Sequence, residues 1–484
     1  MLVLGIDIGT QGARVVVCDG QGRVQAQADE RFSMAGGQNL PPRWAEQDPE
    51  GWWSALVICL RQVVATWPSQ GLQPDGIEAI SVTSTSGTVL PVDAKGRPLR
   101  PAMMYNDGRA LAEAEAVQTA GQKQAEALGY RFSPSYAISK LLWLRQHEPQ
   151  IFKVAHRFIH AADFIVGRLT GEYGVSDFSN ALKTGYDLQH DCWPEFIETE
   201  LGVPHQRLPR VVRPGTPIAE TSTACAEATG LPAGIAVLAG MTDGCTSQIS
   251  TGAVAPGDWN STLGTTLVIK GVTEQLIRDP SGRIYSHRHP DGYWLPGGAS
   301  NTGGEALSQR FSPEKWATLN AQVLDLVPTD VIMYPLAREG ERFPFVRPEA
   351  EGFALNPTSD EVTSYAAHLE GVAYTERLAY EVLTGLGAEI GATIYSAGGA
   401  TRSQAWSQIR ADILGRTLVR PELTGGAMGA AIIAAAGTWY DGLIPAARAM
   451  VNPAEQVTPR PALESAYTER YQQFRAACAA RGYI

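Results

Sequence analysis

Asp7 is the first residue whose position in the sequence suggests chemistry. It lies near the end of the apolar run "LVLGIDI", and a turn containing Gly9 and Gly12 follows that run directly. Because glycine has no Cβ, the backbone N–H groups of such a turn can approach phosphate oxygens, and Thr10 and Gln11 add side-chain donors. A carboxylate at the end of the strand can hold a hydrated divalent cation beside those oxygens. The same residues also fit a plain hairpin that Asp7 caps, so this stretch alone leaves both interpretations open.

Asp243 is the second candidate. It lies in the stretch "AGMTDGCTSQ", after the apolar run "GIAVLAG" (234–240) and before a predicted helix. Asp is a common residue at helix N-termini because its carboxylate accepts hydrogen bonds from the first N–H groups of the helix. From its position alone, Asp243 is therefore predicted to cap this helix.

A later stretch repeats the pattern around the first turn. In "NSTLGTTLVIKG" (260–271), the Gly-Thr-Thr turn at residues 264–266 matches the Gly-Thr-Gln turn at residues 9–11. Such a repeat predicts two halves that are built alike. The predicted boundary lies near residues 245–257, and we assign the two domains to residues 1–246 and 247–484.

Two Gly-Gly turns in the second half each lead into a predicted helix. Residues 392–415 have the pattern of a strand, a glycine turn and a helix, and residues 424–440 that of a glycine turn before an Ala-rich helix. With the two hairpins, these turns supply four backbone sites for an anion or a nucleotide. The chain has neither a GxxxxGK[ST] motif nor the Rossmann glycine spacing, so neither of those phosphate sites is predicted.

Strands and helices that alternate along the chain must position these turns. Apolar runs bounded by turn residues predict strands over 2–8, 13–19 and 23–29, and helical periodicity predicts helices over 48–67 and 137–170. A mixture of both elements in two comparable halves is typical of the α/β class.

The composition describes a globular protein of two or three domains. The chain has 484 residues, of which 44% are hydrophobic and 18% charged, and its formal net charge is −11. The negative charge argues against a nucleic-acid partner, and no apolar run is long enough to span a membrane. Met1 leads directly into a predicted strand, and the six cysteines form no CxxC pair, so we expect no signal peptide, reduced thiols and a cytoplasmic location.

Three further stretches follow a known pattern, namely "RWAEQDPEGWW" (43–53), "GERFP" (340–344) and "SAGGATRSQAWSQIRADILG" (396–415). They resemble the WxEQDPExWW, GERxP and adenosine-side segments of the FGGY family of carbohydrate kinases. The resemblance extends over essentially the whole chain in the family's order. It implies an α/β fold of two ribonuclease H-like domains facing across a nucleotide cleft, as in actin and the sugar-kinase ATPases.

Other stretches indicate a branch of that family. "TSGTVL" (85–90), "SDFSNALKTGY" (176–186) and "GYWLPGGASNTGG" (292–304) are similar to segments of the D-ribulose kinase branch. Xylulose kinases usually place a Met-His pair where this chain has Thr85-Ser86. That difference puts D-xylulose in doubt as the substrate.

A second departure concerns the N-terminal signature of the family. The signature usually has Pro, Ser or Thr three residues before its Lys, whereas Ala137 stands three residues before Lys140 in this chain. We place this segment on the surface of its domain, away from the chemistry.

The resemblance implies roles for single residues. Asp243 would accept the proton of the sugar hydroxyl that attacks the γ-phosphoryl group of ATP, and Asp7 would hold the Mg²⁺ that accompanies ATP. Phosphate and nucleotide ligands are predicted at Thr10, Gln11, Arg14, Gly264, Thr265, Thr266, Asn301, Gly398, Gly399 and Gln404, with Gly425, Gly426 and Met428 as lesser candidates. Sugar ligands are predicted at Ser86, Asn106, Asp107 and Asp243.

The predicted reaction is phosphorylation of the terminal hydroxyl of a pentulose, with D-ribulose converted to D-ribulose 5-phosphate. A D-xylulose kinase or another sugar or polyol kinase of the same family is the alternative. An actin-like ATPase that phosphorylates no sugar is a more distant one, which ATP turnover with and without pentulose would distinguish. The predicted partners are ATP and a ketopentose, without nucleic acid or membrane, and a homodimer is left open.

Overall fold

The computed structural model describes residues 1–32, 40–70 and 76–484. The strands are β1 (Leu2–Ile8), β2 (Gly12–Cys18), β3 (Val24–Arg31), β4 (Glu46–Gln47), β5 (Ile77–Ser84), β6 (Val89–Val92), β7 (Ala102–Met103), β8 (Arg157–His160), β9 (Val175–Asp177), β10 (Arg210–Val212), β11 (Pro217–Glu220), β12 (Ala236–Leu238), β13 (Trp259–Leu263), β14 (Leu267–Gly271), β15 (Ile284–Arg288), β16 (Trp294–Ser300), β17 (Ile332–Tyr334), β18 (Phe353–Leu355), β19 (Thr393–Ala397), β20 (Thr417–Pro421) and β21 (Pro453–Val457).

The α-helices are α1 (Pro49–Gln70), α2 (Leu111–Ala120), α3 (Gln122–Leu128), α4 (Ala137–His147), α5 (Pro149–Val154), α6 (Ala161–Thr170), α7 (Phe178–Ala181), α8 (Glu195–Thr199), α9 (Thr223–Thr229), α10 (Asp243–Ile249), α11 (Glu305–Arg310), α12 (Trp316–Val323), α13 (Glu361–Gly385), α14 (Gln404–Leu414), α15 (Gly426–Ala436), α16 (Leu443–Met450) and α17 (Glu464–Ala480). Across the described residues, none of these helices is both long and apolar enough to cross a membrane.

The chain folds into two compact units. The first unit comprises residues 1–250, 287–292 and 423–451, and the second comprises the remaining segments, 251–286, 293–422 and 452–484. The first unit thus includes α15, which packs on β1 and β5, although the sequence assigned that helix to the second half. The division into domains 1–246 and 247–484 stays a prediction.

The main sheet of the first unit has the strand order β11-β12-β5-β1-β2-β3. β1, β2 and β3 form an antiparallel meander, and β5 and β12 lie parallel to β1 on its other side. All seven residues of β1 are buried, which fits a central strand covered on both faces. This arrangement brings the carboxyl ends of β1, β5 and β12 to the same edge of the sheet.

The main sheet of the second unit repeats that arrangement. β13, β14 and β16 form its antiparallel meander, while β19 and β20 lie parallel to β13. The order β16-β14-β13-β19-β20 therefore corresponds strand by strand to β3-β2-β1-β5-β12. The prediction of two halves built alike, of α/β class, is confirmed.

The predicted helix over residues 137–170 is wrong in part. The segment contains α4, α5 and α6, but the strand β8 interrupts it and pairs with β6. β8 has four residues with Phe158 and Ile159 at its centre, and both are buried. A short apolar run of this kind is equally compatible with a buried helix segment, so the periodicity could not identify the strand.

A buried ion pair joins α13 to α14 in the second unit. Two guanidinium nitrogens of Arg410 donate to the carboxylate of Glu376 at 2.7 and 2.8 Å, and a third donates to Ser396 Oγ at 2.7 Å. The side chains of Arg410 and Glu376 are 1% and 0% exposed. Because water cannot replace either partner, each charge depends on the other.

We expect Arg410→Leu to lower the free energy of unfolding of the second unit by about 3–5 kcal/mol, because it leaves the Glu376 carboxylate buried without its counter-charge. Urea titration followed by tryptophan fluorescence measures this loss. The control is Lys315→Ala, which removes an ion pair with Glu361 whose side chains are 56% and 51% exposed, and we expect it to cost less than about 1 kcal/mol. Equal losses in the two variants would contradict the prediction.

Candidate functional site

A cavity of 720 Å³ lies in the first unit, where β1 ends and α10 and α15 begin. Five residues that the sequence predicted for the site lie together on its wall: Asp7, Thr10, Gln11, Arg14 and Asp243. Tyr105 and residues 423–428 complete this part of the wall. These residues lie together because β1 and β12 run parallel, so that the carboxyl ends of both strands lie on one edge of the sheet.

Asp7 has an unsatisfied carboxylate oxygen in this cavity. Its Oδ2 accepts a hydrogen bond from Arg14 at 3.2 Å, whereas its buried Oδ1 has no hydrogen-bond partner among the described residues. Burial, followed by the negative charge of Asp243, raises the pKa of Asp7 to about 6. An unused buried oxygen next to a second acid is the environment that a divalent cation would stabilise. The donor set of the cavity thus fits Mg²⁺.

The glycine turn before α15 lies directly against this carboxylate. A Cβ placed on Gly426 would meet Asp7 Cγ at 2.7 Å and Asp7 Oδ2 at 2.8 Å. Any larger residue at this position would therefore displace Asp7. Gly425, Gly426 and Met428 were predicted as lesser candidates for nucleotide ligands, and all three line the cavity.

Asp243 is the first residue of α10, and the N-cap position belongs to Thr242. Asp243 Oδ1 accepts a hydrogen bond from the N–H of Gly244 at 2.7 Å. A capping side chain would bond to N–H groups two or three residues further along the chain. The structure therefore places the Asp243 carboxylate on the cavity wall and not at the cap predicted from its position alone.

The "TSGTVL" segment follows β5 and has one unsatisfied hydroxyl. Thr85 Oγ1 and Thr88 Oγ1 share a hydrogen bond of 2.8 Å. Ser86 Oγ is buried and has no hydrogen-bond partner among the described residues. A buried polar atom without a partner is costly unless a ligand or water satisfies it.

Asn106 and Asp107 differ sharply in their surroundings. Asn106 is exposed, whereas Asp107 is 1% exposed and accepts hydrogen bonds from the backbone N–H of Ala45 (2.7 Å) and from Arg109 (2.7 to 3.0 Å). Burial opposes ionisation of Asp107, but the hydrogen bonds from Arg109 and Ala45 outweigh it and keep its pKa below the usual range. The Arg109 guanidinium also lies 3.5 Å from the centre of the Trp44 ring. These contacts give Asp107 a structural role, and its role as a sugar ligand stays a prediction without support from them.

Two lysines that were not predicted as site residues lie near this segment. Lys183 lies beside Gly87, where an added Cβ would meet its Cδ at 3.0 Å. Burial lowers the pKa of Lys183, and the negative charge of Asp243 opposes that shift. The signal for Lys183 in the sequence was its position within "SDFSNALKTGY". That segment resembles the D-ribulose kinase branch, but no residue in it was predicted to have a role.

Lys140 is fully buried, so the placement of its segment on the domain surface is wrong. Its ammonium group donates to the carbonyl oxygens of Gly87 at 2.8 Å and Ser135 at 3.1 Å. Burial, with the positive charge of Lys183 as a smaller cause, lowers the pKa of Lys140 to about 7. Lys140 thereby holds the loop that contains Ser86 against the start of α4.

The predicted nucleotide residues of the second unit lie on neighbouring turns. Gly264, Thr265 and Thr266 form the turn between β13 and β14, and Gly264 O accepts a hydrogen bond from Gly304 N at 2.9 Å. Gly398 has a φ of +91° and lies so close to Leu263 that an added Cβ would meet its carbonyl oxygen at 2.4 Å. The hairpin turn and the Gly398-Gly399 turn therefore lie side by side.

Asn301 and Gln404 lie near these turns, but the side chain of Asn301 is held by a hydrogen bond whereas Gln404 is exposed. The side-chain amide of Asn301 donates to Gly340 O at 2.8 Å, and its backbone N–H donates to Glu341. Glu341, from the "GERFP" segment, also accepts hydrogen bonds from Ser300 and Tyr334. Gln404 begins α14 and is exposed. Within the described residues, no group of three or more His, Cys, Asp or Glu could hold a metal ion.

Comparison with known proteins gives consistent matches. The model for the N-terminal domain of the FGGY family of carbohydrate kinases matches residues 2–250, and the model for its C-terminal domain matches residues 259–438. The xylulose kinase of Escherichia coli (strain K12) is 29% identical over 443 residues, which are 90% of this chain and 89% of that protein. The gluconokinase of Bacillus subtilis (strain 168) is 26% identical over 446 residues, with coverages of 87% and 84%.

A solved structure agrees with these matches. The xylulose kinase from Rhodospirillum rubrum superposes with a TM-score of 0.88 and 27% sequence identity, and the alignment covers 99% of each chain. The likeness therefore extends over both compact units.

Proposed function

Since the chain belongs to the FGGY family of carbohydrate kinases and is an ATP-dependent carbohydrate kinase, we propose that its acceptor is a pentulose and that D-ribulose is preferred. The observation that supports this proposal is the buried Ser86 Oγ, which lacks a partner among the described residues. A sugar hydroxyl would satisfy it. The Met-His pair usual in xylulose kinases would fill the same space with bulkier side chains.

In the proposed reaction Asp243 acts as the general base. Its carboxylate accepts the proton of the terminal hydroxyl of the pentulose, and that oxygen forms a bond to the γ-phosphorus of ATP. The bond from this phosphorus to the β,γ-bridging oxygen breaks, and ADP leaves with the electron pair. The products are a pentulose 5-phosphate, ADP and a protonated Asp243.

Asp7 and the residues after it are proposed to bind the phosphate end of ATP. Thr10, Gln11 and Arg14 line the cavity beside Asp7 and supply donors for phosphate oxygens. Asp7 would hold Mg²⁺, which neutralises part of the phosphate charge when it is bound with ATP.

The second unit is proposed to bind the rest of the nucleotide. The ligands are Gly264, Thr265, Thr266, Asn301, Gly398, Gly399 and Gln404. The adjacent turns at residues 264–266 and 398–399 support this proposal, because turns of small residues expose backbone N–H groups.

Two features of the first unit support a sugar site. Lys183 lies beside Gly87, next to Ser86, and the negative charge of Asp243 opposes the lowering of its pKa by burial, so we propose that its ammonium group donates to sugar hydroxyls. Ser86 and Asn106 supply further hydrogen-bonding groups. We add Lys183 to the proposed sugar ligands, and Asp107 stays with them only on the strength of the sequence.

D-xylulose phosphorylation is the second candidate, because several similar proteins are xylulose kinases. The two sugars are epimers, so an enzyme separates them by leaving a polar group unpaired when the wrong one binds. A homodimer stays a prediction.

The experiment that tests the acceptor is a measurement of kcat/KM for D-ribulose, L-ribulose, D-xylulose, L-xylulose and glycerol. We expect D-ribulose to give the highest value and Ser86→Ala to lower it roughly 10-fold, because a lost hydrogen bond to a buried group costs about 1–3 kcal/mol. Ser308→Ala, which removes an exposed hydroxyl from α11, is the control and should change nothing.

Two results would contradict this assignment. One is a higher kcat/KM for D-xylulose or glycerol than for D-ribulose. The other is a Ser86→Ala variant that keeps the order of the five substrates and their values. Rapid ATP hydrolysis independent of any sugar would instead favour the actin-like ATPase.

A further inference from the structure

The peptide bond between Met241 and Thr242, one residue before the peptide bond that leads into Asp243, is held at both of its polar atoms. The carbonyl oxygen of Met241 accepts a hydrogen bond from Thr83 Oγ1 at 2.6 Å, and the N–H of Thr242 donates to Ser179 Oγ at 2.9 Å. These two atoms belong to the same peptide unit. We propose that Thr83 and Ser179, here called the hydroxyl pair, are positioning residues that set the orientation of the Asp243 carboxylate. The inference rests on the proposed role of Asp243 as the base.

The hydroxyl pair comes from two separate elements. Thr83 lies on β5, and Ser179 lies on α7. A peptide plane can rotate about its two flanking bonds, and one hydrogen bond would leave much of that rotation available. Two hydrogen bonds at opposite edges of the plane prevent it. The following peptide unit is held by the first helical bonds, because Thr242 O accepts the N–H groups of Cys245 and Thr246, so the backbone that leads into Asp243 is fixed on both sides of Thr242.

Asp177 determines the direction in which the Ser179 hydroxyl donates its proton. Its Oδ1 accepts the hydroxyl proton of Ser179 at 2.5 Å, and it also accepts the N–H of Ser179 at 2.7 Å. Because the only proton of the hydroxyl points to Asp177, Ser179 Oγ must present a lone pair to Thr242. Asn180 Nδ2 donates to the other oxygen of Asp177 at 2.6 Å. The "SDFSN" segment thus supplies a hydroxyl with a fixed orientation.

Burial removes water as a competitor for these bonds. Thr83 and Ser179 are both 0% exposed, Thr242 is 1% exposed and Asp177 is 3% exposed. Capping of α7 requires only the two N–H groups that Asp177 accepts, from Ser179 and Asn180. The bond from Thr242 to Ser179 spans 63 residues and adds nothing to that cap. Its effect falls on the turn that presents Asp243.

The test compares kcat and KM in variants of the full chain. We expect Ser179→Ala and Thr83→Val to lower kcat by roughly 10- to 100-fold, because a displacement of about 1 Å in a reacting group has an effect of that size. KM for ATP and for the sugar should stay within about two-fold. Thr83→Ser keeps the hydroxyl and should keep most of kcat.

Thr229→Val is the matched control. Thr229 is also 0% exposed and its hydroxyl donates to Cys225 O at 2.7 Å, but it lies on α9, away from the cavity. We expect this variant to lose stability and to keep kcat. If Thr229→Val lowers kcat as much as Thr83→Val does, the loss reflects general stability and the inference is wrong.

A second measurement separates positioning from a merely structural role. In an Asp243→Asn background the base is absent, so adding Ser179→Ala should reduce the residual rate less than about two-fold. A loss equal to that in the wild-type background would overturn the inference, and so would folded Ser179→Ala and Thr83→Val variants with normal kcat. If Asp243→Asn itself keeps its activity, the proposed base is wrong, which is a different outcome.

Discussion

Asp243→Asn is expected to lower kcat by several orders of magnitude while ATP and sugar still bind. The asparagine amide has nearly the size of the carboxylate but cannot accept the proton of the attacking hydroxyl. Isothermal titration for each ligand and a radiolabelled phosphate-transfer assay measure the two effects separately.

Asp360→Asn is the control for this prediction. Asp360 is an exposed residue that caps α13 by accepting the N–H of Thr363 at 2.8 Å, so its replacement changes a cap and no step of the reaction. We expect it to keep kcat. A tenfold or smaller loss in Asp243→Asn, which is about 1.4 kcal/mol of barrier, would show that Asp243 is not the base.

Asp7→Asn has the second largest expected effect. The variant should need a much higher Mg²⁺ concentration and should turn over more than about tenfold more slowly at saturating ATP, because a neutral amide is a poor ligand for a hard cation. Sugar binding should be nearly unchanged. A Mg²⁺ titration of activity that coincides with that of the wild type would contradict the metal role of Asp7.

The same substitution should stabilise the protein in a chelator at neutral pH. Burial, followed by the charge of Asp243, raises the pKa of Asp7 from the ordinary 3.8 to about 6. A carboxyl pKa that is higher in the folded state than in the unfolded state lowers the stability of the protein. This cost is absent below the unfolded-state pKa, grows between the two pKa values and is complete above about pH 6. The full cost is about 3 kcal/mol, so the gain in Asp7→Asn should be near zero at pH 4 and near that size at pH 7.

Urea unfolding with EDTA at a series of pH values measures this dependence. Asp360→Asn is again the comparison, because hydrogen bonds from Thr363 lower the pKa of Asp360, and its replacement should therefore lose stability at neutral pH. A gain in Asp7→Asn that does not change between pH 4 and pH 8 would contradict the explanation.

The local pattern of the sequence determined the elements that present the chemistry. The apolar run before Asp7, the glycine turns and the stretch before Asp243 predicted strand ends and turns, and the structure has them there. The likeness of residues 9–11 and 264–266 predicted two similar halves, which the matching strand orders confirm. Such features depend on near neighbours in the chain, which is why the sequence could indicate them.

Tertiary packing decided the surroundings of these residues and the contacts that hold them. The Asp107 carboxylate, whose role as a sugar ligand stays a prediction, accepts a hydrogen bond from the backbone N–H of Ala45, and Lys140 is buried against Gly87 instead of lying on the surface. Thr83 meets Met241 across 158 residues. Each of these contacts joins segments that are distant in the chain, and no local periodicity specifies such a meeting. It forms because the sheet and the packed helices bring those segments together, and burial then requires each polar group to find a partner.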